Sequence, residues 1–189
     1  MRVSRLVLLV TVAFSGVAGA NDNALVQSAL SHATIVSSGE IASALNGNTA
    51  AALSDSVLRV IPIAPKFNVG VAVVRRSRVN GRTPPDALVH EAVTEVYQIV
   101  EGKGVLVTGG ALQSAKPITD PAILGEIGPS SAGQAIVGGI RQRVGPGDIV
   151  VIPAGTPHGF VEVTTARIVY TLIRIDPKQV LRMSGKPHR

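Results

Sequence analysis

The stretch GDIVVIPAGTPH, from Gly147 to His158, decides the fold that we predict for this chain. Its apolar run, Ile149–Ile152, has the length and the β-branched composition of a strand. Pro153 and Gly155 follow with the chemistry of a tight turn, and an imidazole comes directly after that turn. We therefore predict a strand and turn that direct His158 to a fixed point, which would form one half of a ligand pocket.

The other half of the pocket is predicted upstream, around His90 and Glu95. Side chains on a strand alternate between its two faces. Leu88 and His90 should therefore share one face of their strand, as should Glu95 and Tyr97 on the next. The same alternation places three further side chains on one face: His158, Phe160 and Glu162.

Together these two segments resemble the two motifs of the cupin superfamily. The first motif has two His residues separated by one position, then a Glu and a Gly. His90, Glu95 and Gly102 occupy three of these positions, and Leu88 stands where the first His would be.

The second motif is a Gly, a strand, Pro-x-Gly, two residues and a His. Gly147, Pro153, Gly155 and His158 match it, with Glu162 at the usual terminal Asn. The resemblance extends over roughly residues 61–177. It implies an all-β fold, a cupin-like antiparallel β-barrel of the double-stranded β-helix or jelly-roll type.

The strand pattern favours the same fold class. Short β-branched runs separated by Gly, Pro, Asn and Asp are typical of an antiparallel sandwich or barrel, and crossover helices are missing from the pattern. The segment Ala111–Gly139, rich in Gly, Pro and Ser, is predicted as a long connection, either a functional lid or an insertion. The predicted strands are Val57–Ile63, Phe67–Val74, Glu95–Glu101, Val105–Thr108, Ile136–Val144, Ile149–Ile152, Phe160–Val163 and Arg167–Ile175.

Four segments are predicted along the chain. Residues 1–20 have the basic, apolar and small-residue order of a secretory signal peptide, so we expect export to the periplasm or the extracellular space. Residues 21–56 form an N-terminal extension, in which Ser37 and Glu40 have the spacing of a capping box that begins a short helix. Residues 57–177 form the barrel, and residues 178–189 form a flexible basic tail.

Composition narrows the function classes. The chain has no Cys, which excludes disulfides and thiolate chemistry. Without Arg2 and Arg5, 16 basic residues remain against 12 acidic ones, a net charge of +4 for the mature chain. With three Phe, two Tyr and no Trp there is little aromatic surface on which bases could stack, so no nucleic-acid partner is expected. No membrane association is expected once the signal is removed.

The resemblance implies a metal site made of His90, Glu95 and His158. Imidazole nitrogen and carboxylate oxygen suit a divalent transition metal, namely Fe, Mn, Ni, Cu or Zn. Tyr97, Phe160 and Leu88 are the residues expected to contact a small-molecule substrate. The alternative is that the three ligand residues only line a polar pocket, since Leu88 removes one ligand.

Two functions remain open at this point. The first is a small exported metal-dependent oxygenase or isomerase. The second is a barrel that binds a small, sugar-like molecule without turnover. A fold alone does not choose between them. Cupins commonly pair, so the resemblance also implies a homodimer.

Overall fold

The computed structural model of the protein describes residues 33–47, 51–63, 66–80 and 87–182. The described part is mostly antiparallel strand, with two short helices, α1 (Ser38–Gly47) and α2 (Pro121–Ile127). The strands are β1 (Leu53–Ile63), β2 (Phe67–Asn80), β3 (Ala87–His90), β4 (Thr94–Glu101), β5 (Gly104–Thr108), β6 (Ala111–Gln113), β7 (Lys116–Pro117), β8 (Ser130–Gly133), β9 (Ala135–Val137), β10 (Ile140–Val144), β11 (Ile149–Ile152) and β12 (His158–Asp176).

Strand β12 organises the barrel because it pairs with four other strands. Its first residues pair with β3 and β5, and its second half pairs with β2 and β4. Strand β1 extends the sheet on the far side of β2. On the other side, β8 and then β7 extend it beyond β3. Strand β10 pairs with β5, and β11 pairs with β4. Every pairing is antiparallel. The predicted all-β, cupin-like antiparallel barrel with a short N-terminal helix is confirmed.

The barrel interior is filled by the inward faces of β2, β4, β5 and β12. Alternation along each strand sends every second side chain inward, where apolar contact replaces contact with water. The buried core cluster consists of Ala72, Val74, Tyr97, Ile99, Leu106, Val144, Ile152, Phe160, Val163, Ile168, Tyr170 and Leu172. This core supports one wall of the cavity described below.

The N-terminal helix begins as predicted. The Glu40 amide donates to Ser37 Oγ at 3.2 Å, and the Ser37 amide donates to the Glu40 carboxylate at 3.0 Å, which is a complete capping box. The same carboxylate accepts a hydrogen bond from Arg59 of β1, which ties the helix to the sheet. Strand β1 already begins at Leu53, inside the predicted extension 21–56. The predicted signal segment 1–20 lies outside the described residues.

Three predictions about the connections are wrong. Segment 111–139 is not one long connection but contains β6, β7, α2, β8 and β9. The predicted strand Ile136–Val144 is interrupted at Gly138, whose φ of 73° ends the extended conformation. The two predicted strands between Phe160 and Ile175 are one strand, because the register of β12 shifts between Val163 and Arg167 without breaking its pairing.

The tail also differs from the prediction at its beginning. Residues 178–182 are not frayed, because Leu181 is only 4% exposed and packs against the barrel. The fully buried Asp176 carboxylate accepts hydrogen bonds from the amides of Val180 and Leu181, at 3.0 and 2.8 Å. A buried carboxylate that accepts two backbone hydrogen bonds holds a turn firmly. Residues 183–189 lie outside the described part.

Among the described residues, α1 is the longest helix at 10 residues, and neither helix is long and apolar enough to cross a membrane.

Candidate metal centre

The three predicted ligands lie on three different strands that meet at one end of the barrel. His90 ends β3, Glu95 is the second residue of β4 and His158 begins β12. His158 pairs directly with Leu88, and the Gly155 amide donates to the His90 carbonyl at 2.7 Å. These backbone contacts tie the turn before His158 to the strand that carries His90.

The turn itself requires glycine. Gly155 has a φ of 79°, a conformation that costs glycine little and other residues more. The turn is further held by the Ala154 amide, which donates to Thr94 Oγ1 at 3.2 Å. The motif residues therefore act through the backbone: they fix the position from which the His158 side chain enters the barrel.

The three side chains converge on one point inside the protein. His90 Nε2 lies 3.4 Å from Glu95 Oε1, and His158 Nε2 lies 3.3 Å from Glu95 Oε2. The two imidazole rings have their centroids 5.2 Å apart. All three residues are buried, with exposures of 3%, 1% and 4% for His90, Glu95 and His158. One donor atom from each lies within 4.8 Å of the others, a spacing that a single metal ion could span.

The hydrogen bonds on the far side of each ring identify the tautomer. His158 Nδ1 lies 3.0 Å from the Thr156 carbonyl oxygen, which can only accept, so Nδ1 carries the hydrogen. Ser130 Oγ donates its hydrogen to the Gly128 carbonyl at 2.9 Å, so it accepts from His90 Nδ1 at 2.7 Å. In the neutral rings both Nε2 atoms are therefore bare acceptors that face a carboxylate.

This arrangement fits a metal ion. Two bare imidazole nitrogens and a carboxylate oxygen pointing at one place repel one another unless a cation lies between them. Two His residues and one carboxylate are the donor set of many divalent transition-metal sites. Hydrogen bonds from the remote ring nitrogens to a hydroxyl and a carbonyl are the usual outer contacts of metal-binding histidines.

Glu95 has a second set of partners that the sequence did not indicate. Arg174 lies directly opposite Glu95 on β12 and its Nε donates to Oε1 at 3.0 Å, while the Tyr97 hydroxyl donates to Oε2 at 2.8 Å. Arg174 also pairs with Asp55 of β1 and donates to the Glu126 carbonyl at 3.2 Å. Each carboxylate oxygen of Glu95 thus has one donor on one side and one imidazole on the other.

These contacts decide which groups are charged. Burial alone would disfavour the ionised carboxylate. The charge of Arg174, together with hydrogen bonds from His158 and His90 when their Nε2 atoms carry hydrogen, outweighs burial and holds the pKa of Glu95 well below its usual value. Burial would likewise lower the pKa of Arg174, but Asp55 and Glu95 raise it. Burial and the Glu95 charge raise the pKa of Tyr97 well above its usual value, so its hydroxyl remains a donor.

The side chains predicted to contact a substrate line a cavity of about 40 Å³ next to this centre. Leu88, Tyr97 and Phe160 all face it. About 10–15 Å³ in this measure holds one water, so the cavity has room for about three water-sized groups. The Tyr97 ring stacks on Tyr170, with centroids 4.4 Å apart, so Tyr97 packs and also orients Glu95. The remaining lining residues include Asp55, Arg76, Leu106, Ile127 and Arg174.

Glu162 does not share the inward face of His158 and Phe160, so the alternation predicted for it is wrong. The register between β12 and β5 shifts between Phe160 and Glu162, which adds one residue and turns the following side chain outward. Glu162 instead lines a surface depression with Lys103 and Arg143.

Sequence reasoning missed three residues of the centre: Asp55, Ser130 and Arg174. An arginine flanked by isoleucines in an alternating strand, Ile173-Arg174-Ile175, is a signal that could have drawn attention to β12. Its neighbours point to the opposite face from Arg174, and an arginine on the inward face must be paired. Asp55 and Ser130 carry no comparable local signal.

A protein-family model described as the AraC-like ligand binding domain matches residues 132–186, less than a third of the chain. No curated protein sequence matches the chain.

Three solved structures illustrate the likeness. The Fe(II) form of HppE is 12% identical over 67% of this chain and 53% of that one, with a TM-score of 0.46. DMSP lyase DddQ from Ruegeria pomeroyi is 18% identical over 63% of this chain and 45% of its own, with a TM-score of 0.37. The cupin domain of Schizosaccharomyces pombe Cnp3 is 10% identical over 66% of this chain and 61% of its own, with a TM-score of 0.38.

The chain spans about half the length of the first two of these structures. With its antiparallel strand pairing and the match to a ligand-binding family model, the chain has a cupin-like jelly-roll fold, and the predicted resemblance to the cupin superfamily is confirmed at the level of the fold.

Proposed function

We propose that the barrel binds one divalent transition metal on His90, Glu95 and His158 and acts on a small organic molecule beside it, as an oxygenase or an isomerase. One observation carries the proposal. In their neutral form the two imidazoles, whose Nδ1 atoms are occupied by other partners, present bare Nε2 atoms to a buried carboxylate, at 3.4 and 3.3 Å. A cation between these groups relieves their mutual repulsion.

The protein's own residues prepare the site for such chemistry. Ser130 and the Thr156 carbonyl hold the rings in the tautomer that binds a metal, and Arg174 and Tyr97 hold the two oxygens of Glu95. Three protein ligands leave coordination positions open, and a metal there supplies Lewis-acid catalysis or oxygen activation. Leu88 and Phe160 contribute apolar side chains to the wall of the cavity.

The test is the metal content of the purified protein, measured by mass spectrometry, before and after incubation with Mn, Fe(II), Co and Zn salts. We expect about one equivalent per chain, and at least a tenfold loss of retained metal in His158→Ala and Glu95→Gln. Glu101→Gln is the matched control, because Glu101 lies on the same strand and is exposed. Less than about a tenth of an equivalent in the wild-type protein after every incubation would exclude the metal site.

A second candidate function is a barrel that binds a small molecule, such as a sugar-like ligand, without metal or turnover. Two observations favour it. The Arg174 guanidinium already compensates the charge of Glu95, and the matched family model describes a ligand-binding domain. This candidate predicts a metal-free protein whose thermal stability does not respond to transition metals, so the same measurement separates the two functions.

We also propose that the protein is exported, on the basis of the signal-like order of residues 1–20. Asn21 would then be the first residue of the mature chain. N-terminal sequencing of the protein from separated cell fractions tests this directly, and an intact Met1 in the cytoplasmic fraction would contradict it.

A further inference from the structure

The outward face of β11 and of the strands beside it carries exposed apolar side chains. Ile149 and Val151 of β11 are 65% and 62% exposed, and Val100 of β4 and Ile175 of β12 are 48% and 39% exposed. Alternation along β11 places Ile149 and Val151 on the face opposite to Ile152, which belongs to the buried core. These four side chains therefore point away from the barrel interior.

The pairing register joins these side chains into one surface. Val151 lies opposite Val96, Val96 opposite Ile173, and Ile173 opposite Val71, so one apolar row crosses β11, β4, β12 and β2. Alternation brings the neighbouring rows onto the same face. We call this surface the outer patch. Its aliphatic side chains are Val69, Val71, Val96, Val100, Ile149, Val151, Ile173 and Ile175. A contiguous exposed apolar surface of this kind marks an interaction site.

The outer patch contains no charged side chain. The other outward positions that solvent reaches within it are Thr94, Gln98 and Thr171, which are polar but uncharged. By contrast, strand β10 presents the exposed side chains of Arg141 and Arg143. A surface without charges cannot attract a partner through opposite charge, so the burial of apolar area would drive association here.

A second copy of this chain is the partner that fits such a surface. In a two-fold symmetric dimer both copies contribute the same surface, so a charged side chain near the axis would face its own like charge. The chain carries a net positive charge, and the outer patch lets two copies meet without that repulsion. Strand β11 also has a free edge, because among the described strands it pairs only with β4. Its residues Ile149–Ile152 include no charge or proline that would protect this edge.

We propose that the outer patch is a self-association surface, on which a second copy of this chain packs its own outer patch. Four strands about 4.8 Å apart and four rows of outward side chains about 6.8 Å apart cover roughly 500 Å². Two copies would therefore bury about 1,000 Å², which lies at the lower end for a specific interface. The expected product is a reversible dimer. The inference goes beyond the proposed function and does not involve the metal centre.

The experiment is sedimentation velocity on the protein as purified from cells, at concentrations from about 1 to 200 μM. The wild-type protein should change from monomer to dimer as the concentration rises. Val151→Lys and Ile175→Lys should each weaken association at least about 100-fold, because a dimer loses the apolar side chain twice and gains two like charges. Ile140→Lys is the matched control, because Ile140 is 68% exposed on β10, outside the outer patch, and should leave association unchanged.

A wild-type protein that stays monomeric at the highest concentration would overturn the inference. A dimer that survives both Val151→Lys and Ile175→Lys would also overturn it, since the contact would then lie on another surface, and so would a dimer that Ile140→Lys disrupts equally. If Val151→Lys fails to fold by circular dichroism, the wild-type protein and Ile175→Lys still decide. Metal content is measured in the same samples. A metal-free protein that dimerises through the outer patch supports this inference and contradicts only the metal centre.

Discussion

Replacing Arg174 with methionine should destabilise the protein strongly. Arg174 is 2% exposed and holds two carboxylates, with Nε 3.0 Å from Glu95 and its terminal nitrogens on Asp55. Methionine keeps most of the apolar stem but leaves the Glu95 charge buried without its guanidinium. Removing one partner of a buried ion pair costs about 3–5 kcal/mol. For a domain of this size that free energy corresponds to a decrease in Tm of roughly 6–20 °C.

Arg167 provides the matched control, because it also joins β12 to β4 through a glutamate. Its pair with Glu101 has a similar distance, 2.9 Å, but the two side chains are 47% and 50% exposed. An exposed pair contributes about 0.2–1 kcal/mol, so Arg167→Met should have little effect. Both variants are measured in the metal-free protein by urea denaturation and thermal unfolding. Equal losses of stability in the two variants would refute the argument that burial of the Glu95 charge sets the cost.

A double variant tests the cause of that cost. Glu95→Gln removes the stranded charge, so combining it with Arg174→Met should destabilise the protein less than the sum of the two single changes. Residues in direct contact usually show interaction free energies of about 0.5–3 kcal/mol. Strict additivity of the two changes would mean that they act independently, contrary to the structure.

Three further outcomes are expected. Ser130→Ala removes the acceptor of the His90 Nδ1 hydrogen and should weaken zinc binding about 10- to 100-fold in a chelator competition, whereas unchanged affinity would mean that Ser130 does not orient the ring. Gly102→Ala should lower the free energy of unfolding in urea several times more than Gly109→Ala does. Both glycines have φ near 79°, but only at Gly102 would an added Cβ meet a carbonyl oxygen, that of Arg167, at 2.0 Å. Equal losses of stability would contradict this clash. Asp176→Asn should lower stability by about 1–3 kcal/mol and speed trypsin cleavage after residue 178, while unchanged cleavage would show that the carboxylate does not hold the turn.

The fold class could be predicted from local patterns because its signals are local. Strand β11 has the bounds that its apolar run and turn residues predicted, Ile149–Ile152, and the capping box at Ser37 begins a helix. The prediction failed where a backbone irregularity interrupts a pattern, at Gly138 and at the register shift that turns Glu162 outward. Such irregularities depend on the pairing register with the neighbouring strand, so the alternation of side chains along one strand does not reveal them.

The sequence by itself determined the fold class, several strands of the barrel and the turn before His158, and it singled out His90, Glu95 and His158 as residues whose chemistry suits a metal. Only the tertiary structure decided what surrounds them. Arg174 is 79 residues from Glu95 and 119 from Asp55, and Ser130 is 40 residues from His90. Strand alternation is a local property that says which face a side chain takes, whereas the partner it meets there depends on the register between strands that are distant in the chain.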